Sequence, residues 1–434
     1  MLNENSWNKD GLLSKLWFTL MALIVYRLGT YIPIPGVNPD VIEGIVREHS
    51  VGVLGIFNLF SGGALGRMTI FALNVMPYII SSIIIQLFSV TIPKLNEMRQ
   101  DGELGRTKIN SYTRYLMIVF CLVQGLVILL GLEKMNTEAM TVVINPGLMF
   151  RVVGVGSLLG GTMFLLWLGE KINSKGIGNG ISLIIFVGIV SELPGSFSSV
   201  FLLGKNGNVP IFIILLMLLA FVLLLILVIF IERSYRKVLV QYPKRQVKNR
   251  LHQGNSTYIP LKINISGVIP PIFANALLLS PITIANFHKG SVWSDFILTY
   301  FSSGKVLYVI FYALLIVFFA FFYTSFVFDA KETSEMLKKN GGFILGKRPG
   351  KSTCDYFEYL VKRLTVIGSM YLSVICILPE VFRYYHAISF TLGGTSFLIM
   401  VNVIIDTFSQ IQTHIYSSKY SALIKKSDLW KKNK

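Results

Sequence analysis

Charge is scarce in this chain: 14% of its 434 residues are Asp, Glu, Lys or Arg, against about 25% in a soluble globular domain. That shortage excludes an ordinary water-soluble fold, because 53% of the residues are hydrophobic and too few polar ones remain to cover them. Cysteine is scarcer still. Cys121, Cys354 and Cys376 are odd in number and widely spaced, and read as packing residues rather than metal or redox groups. The five histidines, His49, His252, His288, His386 and His414, are scattered without ligand spacing, so no metal centre is expected. Two glycine-rich strings also fall short of a cofactor site. "GVGSLLGG" from Gly154 has Leu159 where a dinucleotide fingerprint needs glycine, and "GIGNG" from Gly176 follows no strand and precedes no Walker lysine. No cofactor and no catalytic constellation is expected.

What the chain has is apolar length. Crossing a hydrocarbon core of about 30 Å takes roughly 20 apolar residues in a helix, and ten stretches qualify: Leu16 to Ile32, Thr69 to Ile92, Tyr112 to Leu132, Leu148 to Leu168, Ile177 to Leu193, Pro210 to Ile231, Asn264 to Ile284, Val306 to Phe328, Leu364 to Val381 and Leu392 to Ile415. The first is not a cleaved signal peptide, since the chain runs straight on into "YIPIPG" without a small-residue cleavage site. This is an all-α integral membrane protein. Of its 40 Lys and Arg residues, 31 fall on one side of that topology, which places both termini in the cytoplasm.

Ionisable residues are rare inside the spans. Arg27 lies in the first and Asp406 in the last, while Glu170, Glu192 and Glu380 sit at span ends within reach of water. A proton- or sodium-coupled transporter keeps such groups near the midplane, so that class is disfavoured here, though a solute transporter or channel stays open. Uncharged polar residues and prolines take their place. Asn74, Pro77, Ser81, Ser82 and Gln86 lie in the second span, Gln124 in the third, and Asn264, Pro270, Pro271, Asn275 and Pro281 in the seventh. Broken backbone ladders are tolerated where helices line a cavity or move, so the second and seventh spans read as moving parts. Just ahead of the second, "NLFSGGALGR" (Asn58 to Arg67) reads as a helical stub too short to cross a bilayer.

Two loops carry more positive charge than topology requires. Residues 232–262 hold eight basic residues against one acid, with "KRQVKNR" between two alternating segments, "KVLVQY" and "STYIPL", that pair as a hairpin. Residues 329–363 contain "KKNGGFILGKRPGK", where Gly346 and Pro349-Gly350 form a turn presenting Lys347 and Arg348. The two loops suit a large acidic partner such as ribosomal RNA or, alternatively, anionic lipid headgroups. Basic clusters alone do not separate those readings.

Particular strings resemble one family. "FSGGALGRMTIFALNVMPYIISSIIIQL" and "FLLWLGEKINSKGIGNGISLIIF" are similar to the two signature segments of SecY, the channel subunit of the bacterial protein translocase, and "YIPIPG", "INPG", "IPLKINISGVIPPIFA", "LGKRPG", "LTVIGSMYLSVICILPE", "GGTSFLI" and "QTHIYSSKY" continue the match in order along nearly the whole chain.

The resemblance implies ten transmembrane helices in two pseudo-symmetric five-helix halves, 1–204 and 205–434, around an hourglass pore in the cytoplasmic (inner) membrane. Unfolded polypeptides are expected to pass through it and membrane segments to leave sideways into lipid. The stub resembles the family's plug, a short helix formed by Phe57, Asn58, Leu59, Phe60, Ser61, Gly62, Gly63, Ala64, Leu65, Gly66, Arg67 and Met68. The constriction ring maps onto Val75, Ile79, Ile181, Ile185, Ile272 and Ile399; branched aliphatics dewet a narrow pore while yielding to any side chain. The lateral gate maps onto Asn74, Ile80, Gln86, Gln124, Asn264 and Asn275. Two of these depart from the family pattern. Asn74 stands where glycine is usual, and Ile80 replaces a small hydroxyl residue that would join Gln124 and Asn264 in a polar cluster, which leaves those amides to pair with each other or with Asn74. Arg348 is expected to contact the SecA motor or the ribosome, with Lys347, Lys244 and Arg245 beside it, and SecE and SecG are implied as subunits. Signal sequences, nascent chains and membrane lipids complete the implied partners, and no covalent chemistry is expected.

Overall fold

The computed structural model describes residues 6–39, 41–42, 44, 61–134, 141–205, 210–242, 245–247, 250–252, 256–287, 292–301, 305–386 and 393–432. Among them run α1 (Ser6–Gly29), α2 (Met76–Thr91), α3 (Pro93–Gln100), α4 (Glu103–Lys134), α5 (Leu148–Lys175), α6 (Gly180–Lys205), α7 (Ile211–Glu232), β1 (Tyr235–Gln241), β2 (Arg245–Val247), β3 (Arg250–His252), β4 (Ser256–Lys262), α8 (Ile269–Phe287), α9 (Val292–Tyr300), α10 (Val306–Val327), α11 (Ala330–Lys339), β5 (Phe343–Ile344), α12 (Lys351–His386) and α13 (Gly394–Lys432). Eight helices among the described residues are long and apolar enough to cross a membrane, and two shorter apolar ones, Met76–Ser89 and Ile269–Leu278, stand at the second and seventh expected spans. The chain is a multi-pass membrane protein.

Those two helices start later than the apolar pattern predicts, and for the same reason. The second stretch was expected from Thr69, but α2 begins at Met76 with Pro77 in its first turn. The seventh was expected from Asn264, but α8 begins at Ile269 with Pro270 and Pro271 next. Proline has no N–H to give to a preceding turn and fits only the opening turn of a helix. Each start follows a left-handed residue, Asn74 at φ 48° and Gly267 at φ 62°. At about 1.5 Å per residue, the 16 residues of α2 reach less far than a bilayer core.

Residues cluster into two units, one of Met1–Leu203 with Ile282–Leu298 and Ser389–Lys434, the other of Gly204–Pro281 with Thr299–Ile388. In the first, α4 packs on both α2 and α5, and α1 packs on α5. Its apolar core includes Ile34, Leu65, Cys121, Leu129 and Leu158. The α5–α6 connection is pinned from three directions. Thr19 Oγ1 accepts from Ile177 N at 3.0 Å, Gln410 Oε1 from Gly178 N at 2.9 Å and Asn173 Oδ1 from Gly180 N at 2.7 Å. "GIGNG" is therefore a fixed corner, with Gly180 against the Gly169 carbonyl where no side chain fits.

Glycines also set the α4–α5 spacing. A Cβ on Gly154 would lie 2.7 Å from Leu129 Cδ1, whereas one on Gly156 meets nothing within 4 Å. Gly154→Ala should thus be about 1–2 kcal/mol less stable than Gly156→Ala, since both gain the same helix propensity and only the first pushes the Leu129 side chain aside; thermal unfolding of both variants in detergent checks the difference.

In the second unit, α10 packs along α12, and α11 lies on α12 as well. Strands β4, β1 and β5 form an antiparallel sheet in that order, with Val238 opposite Ile259 and Val240 opposite both Thr257 and Ile344. The hairpin expected from "KVLVQY" and "STYIPL" is β1–β4, and β2–β3 is a smaller hairpin between its strands.

Candidate functional site

Ser61 to Gly66 are all buried, although the segment is not a continuous helix. The expected plug helix is corrected on this point. Gly62, Gly63 and Met68 have φ of 64°, 83° and 43°, outside the right-handed helical region, so residues 62–68 form successive turns; Phe57 to Phe60 lie outside the described residues. The turns are closed by Met68 N to Leu65 O at 3.0 Å and Thr69 N to Ala64 O at 2.9 Å. Two further bonds tie the segment to the strip after α1, Ile34 N to Met68 O at 2.9 Å and Ile70 N to Ile32 O at 3.1 Å.

Its seat is built by α1 and α6. Arg27 Nη1 donates to the Gly62 carbonyl at 3.0 Å and Tyr26 Oη to the Ser61 carbonyl at 3.4 Å. A Cβ on Gly62 would lie 2.8 Å from Gly188 Cα and 3.1 Å from Ser191 Oγ, and one on Gly63 would lie 2.5 Å from Glu192 Oε1. The glycines are thus required twice, by their left-handed backbone and by contact with α6. The Arg67 guanidinium sits 4.5 Å from the Tyr31 ring centroid, and Arg27 approaches the same ring at 5.6 Å; an arginine over a tyrosine face is attracted by the ring quadrupole. Below the turns, Phe71 stacks between Tyr26 and Phe164. Arg27, within the first span, and Glu192, at a span end, therefore border one buried segment, a role that spacing along the sequence did not reveal.

The ring positions lie near the starts of their helices, two at α2, two on α6 and one each on α8 and α13. Val75 and Ile79 are one turn apart at the start of α2, with Ile79 N bonded to Val75 O at 3.1 Å. Ile181 and Ile185 occupy the first two turns of α6, and Ile399 the second turn of α13. Val75, Ile185 and Ile399 are buried, while Ile79, Ile181 and, on α8, Ile272 are half-buried.

Among the gate positions, Asn74 supplies the left-handed residue before α2, a conformation that glycine and asparagine both tolerate. The expected glycine and the asparagine present thus suit the same backbone. Asn264 is buried and its amide donates to Glu232 Oε1 at 2.7 Å and to the Gly267 carbonyl at 3.1 Å, while its Oδ1 accepts from Ser266 at 3.1 Å. Its hydrogen-bonding capacity goes to fastening the end of α7 to the start of α8. Gln86 Nε2 bonds Ser82 one turn earlier at 3.1 Å; Asn275 is buried, and Ile80 and Gln124 are half-buried.

The two basic loops form a single body. Val238, Val240 and Leu261 from the hairpin share a core with Ala330, Leu337, Ile344, Phe357 and Leu364 from the region that follows α10. Asp329 caps α11, accepting from Lys331 N at 2.8 Å and Glu332 N at 3.1 Å. At one corner, Gly346 and Gly350 (φ 77° and 101°) close a tight loop whose Lys347 and Arg348 are exposed. Thr353 Oγ1 donates to the Arg348 carbonyl at 2.9 Å, and Ser334 Oγ to the Gly350 carbonyl at 2.7 Å. Lys347 Nζ lies 5.7 Å from the Tyr356 ring centroid. Arg245 lies in β2 opposite His252, and Lys244 lies outside the described residues.

Comparison with known proteins gives one consistent result. Residues 69–408 match the SecY family model. The curated protein translocase subunit SecY of Rickettsia felis is 49% identical over 431 residues, covering 99% of this chain and 100% of that protein. Two solved structures share the fold at 17% identity, each covering 94% of this chain and 93% of the other: "The structure of a protein conducting channel", TM-score 0.60, and one described as showing that the SecY plug domain stabilises the closed state of the translocation channel and maintains a membrane seal, TM-score 0.59.

Proposed function

This chain belongs to the SecY family of protein translocase subunits, and we propose that in it residues 57–68 close, and the aliphatic ring lines, the path of a translocating polypeptide. As a member of that family it is a protein-conducting channel component and not an enzyme. The observation that carries our assignment is the glycine-bearing segment 61–68, buried from Ser61 to Gly66 and held by its backbone in a fitted seat. A seal that leaves and returns is best held by a few directed bonds on an element of low intrinsic helicity, each interior glycine costing a helix about 1 kcal/mol.

Val75, Ile79, Ile181, Ile185, Ile272 and Ile399 form the ring in this reading, and α2 and α8 flank a lateral exit involving Asn74, Ile80, Gln86, Gln124, Asn264 and Asn275. Apolar segments leaving through that exit gain roughly 25 cal/mol per Å² of apolar surface removed from water. Residues 1–204 and 205–434 are the two halves of the channel. Both termini and the sheet platform face the cytoplasm across the inner membrane, a placement supported by the 31 of 40 basic residues on that side. The platform corner with Lys347 and Arg348, aided by Lys244 and Arg245, receives the SecA motor or the ribosome, and SecE and SecG accompany the channel.

Photocrosslinkers placed at Ile79 and at Ile272 test this path. A half-exported chain stalled in the membrane should label from both positions, and an exported chain that labels from neither removes the ring assignment.

A further inference from the structure

Closing a channel needs a bond that is strong when seated and local enough to release, and the seat of residues 61–68 contains one such group. The Arg27 side chain is part-buried and donates from Nη1 to the Gly62 carbonyl at 3.0 Å. A hydrogen bond from a charged donor is worth more than a neutral one, and removing it leaves a carbonyl in a poorly hydrated place. The acceptor cannot drift away. Gly62 is wedged on Gly188, with φ of 64° and 2.8 Å between its absent Cβ and Gly188 Cα, and on the next residue Glu192 Oε1 lies 2.5 Å from the absent Cβ of Gly63. A guanidinium on α1 and a carboxylate on α6 thus border two consecutive peptides of the segment from two different helices. Such placement holds the turn by its backbone and is independent of the residues that fill the rest of the segment.

We propose that Arg27 and Glu192 are positioning residues that set the resting equilibrium of the seal, Arg27 by clamping the Gly62 carbonyl and Glu192 by walling the adjacent Gly63. This rests on reading residues 57–68 as the plug. Arg27 is the dominant member, because it makes the directed bond. Arg27→Lys keeps the charge but loses the planar fork that reaches the carbonyl from α1, and so restores part of the closure. Glu192→Gln keeps the wall and weakens its charge, giving the smallest effect. Gly62→Ala attacks the same contact from the segment's side, since its Cβ has no place against the Gly188 backbone.

The experiment is resting ion flux of the purified wild-type channel complex and its variants in planar bilayers, in the full-length chain and after deletion of residues 57–68. Arg27→Gln and Gly62→Ala should each raise resting flux about 10-fold or more, the equivalent of about 1.4 kcal/mol in the seated equilibrium, with Arg27→Lys between wild type and Arg27→Gln. In the deletion background, Arg27→Gln should add nothing, a result that a merely structural role for Arg27 would not give. Wild-type flux in Arg27→Gln beside raised flux in the deletion overturns the clamp and leaves the plug reading standing. Unchanged flux in the deletion removes the plug reading and the clamp with it. Flux that rises further when Arg27→Gln is added to the deletion shows Arg27 acting elsewhere and also overturns the clamp. Should Arg27→Gln fail to fold, Arg27→Lys decides the same question, with wild-type flux as the overturning result.

Discussion

Phe357→Ala should separate the two basic loops from each other while the membrane helices stay folded. Phe357 is fully buried. Its ring lies 5.9 Å from Phe328 and 6.3 Å from Tyr356, centroid to centroid, within the core that joins the β1–β4 hairpin to β5, α11 and the start of α12. Truncating a phenylalanine in such a place costs about 3–5 kcal/mol, from lost transfer energy and the cavity left behind. The sheet has little else to spend, because β5 contributes two residues and a short edge pairing is weak without packing beneath it. Local opening of the platform should rise about 100-fold or more, since each 1.4 kcal/mol is tenfold in the equilibrium. Limited proteolysis reads this directly when reclosing is faster than cleavage: cutting within 232–262 and 329–363 should accelerate together, while fragments from the spans persist. Acceleration in only one loop would mean that the two do not share a core.

That shared core marks the limit of what the sequence displayed. The alternating segments of the hairpin and the glycine turn around Arg348 were legible because each is local, set by residues a few positions apart. Their union was not, since Val240 and Ile344 are about a hundred positions apart and nothing in either segment names the other. The spans show the same division. Hydropathy located them, but the glycine-bearing stub ahead of the second read as a short helix where left-handed residues break it into turns, and the helix boundary at Met76 depended on Pro77 in the first turn and on Asn74 adopting a left-handed conformation. An apolar count does not weigh a missing N–H. Asn264 appeared as one amide in a cluster between spans. In the structure it is committed to Glu232, Ser266 and Gly267, and Glu232 read only as the one acid of the basic loop 232–262. Arg27 was visible as a rare charge within a span and Glu192 as an acid at a span end, yet their common neighbour was hidden because Arg27 lies 35 residues before Gly62 and α6 follows much later. A charge in an apolar span signals that a partner exists, and only the tertiary structure says which.

Arg348→Glu should abolish motor-driven transport and leave both folding and resting ion flux at wild-type levels. The side chain is exposed, and the bonds that shape its loop are made by backbone: the Arg348 carbonyl accepts from Thr353, and the Gly350 carbonyl accepts from Ser334. A surface substitution away from such features changes stability by about 0.5 kcal/mol or less. Docking is another matter. Reversal changes the local charge by two at the corner proposed to meet an acidic partner, and a like-charge contact in an interface costs several kcal/mol; about 4 kcal/mol corresponds to roughly a thousandfold loss of affinity. Arg348→Lys should fall between, because an ammonium keeps the charge but not the two-pronged contact with phosphate or carboxylate. Binding of ribosomes to the reconstituted channel separates the two partners. If the corner meets RNA phosphate, Arg348→Gln should lower the slope of log affinity against log salt by about one, whereas an acidic protein surface gives no such counterion-release step. The assay is ATP-dependent import into proteoliposomes, run beside ribosome pelleting at several salt concentrations. Wild-type import and wild-type pelleting by Arg348→Glu would move the docking surface off this corner, to the β2–β3 tip that carries Arg245.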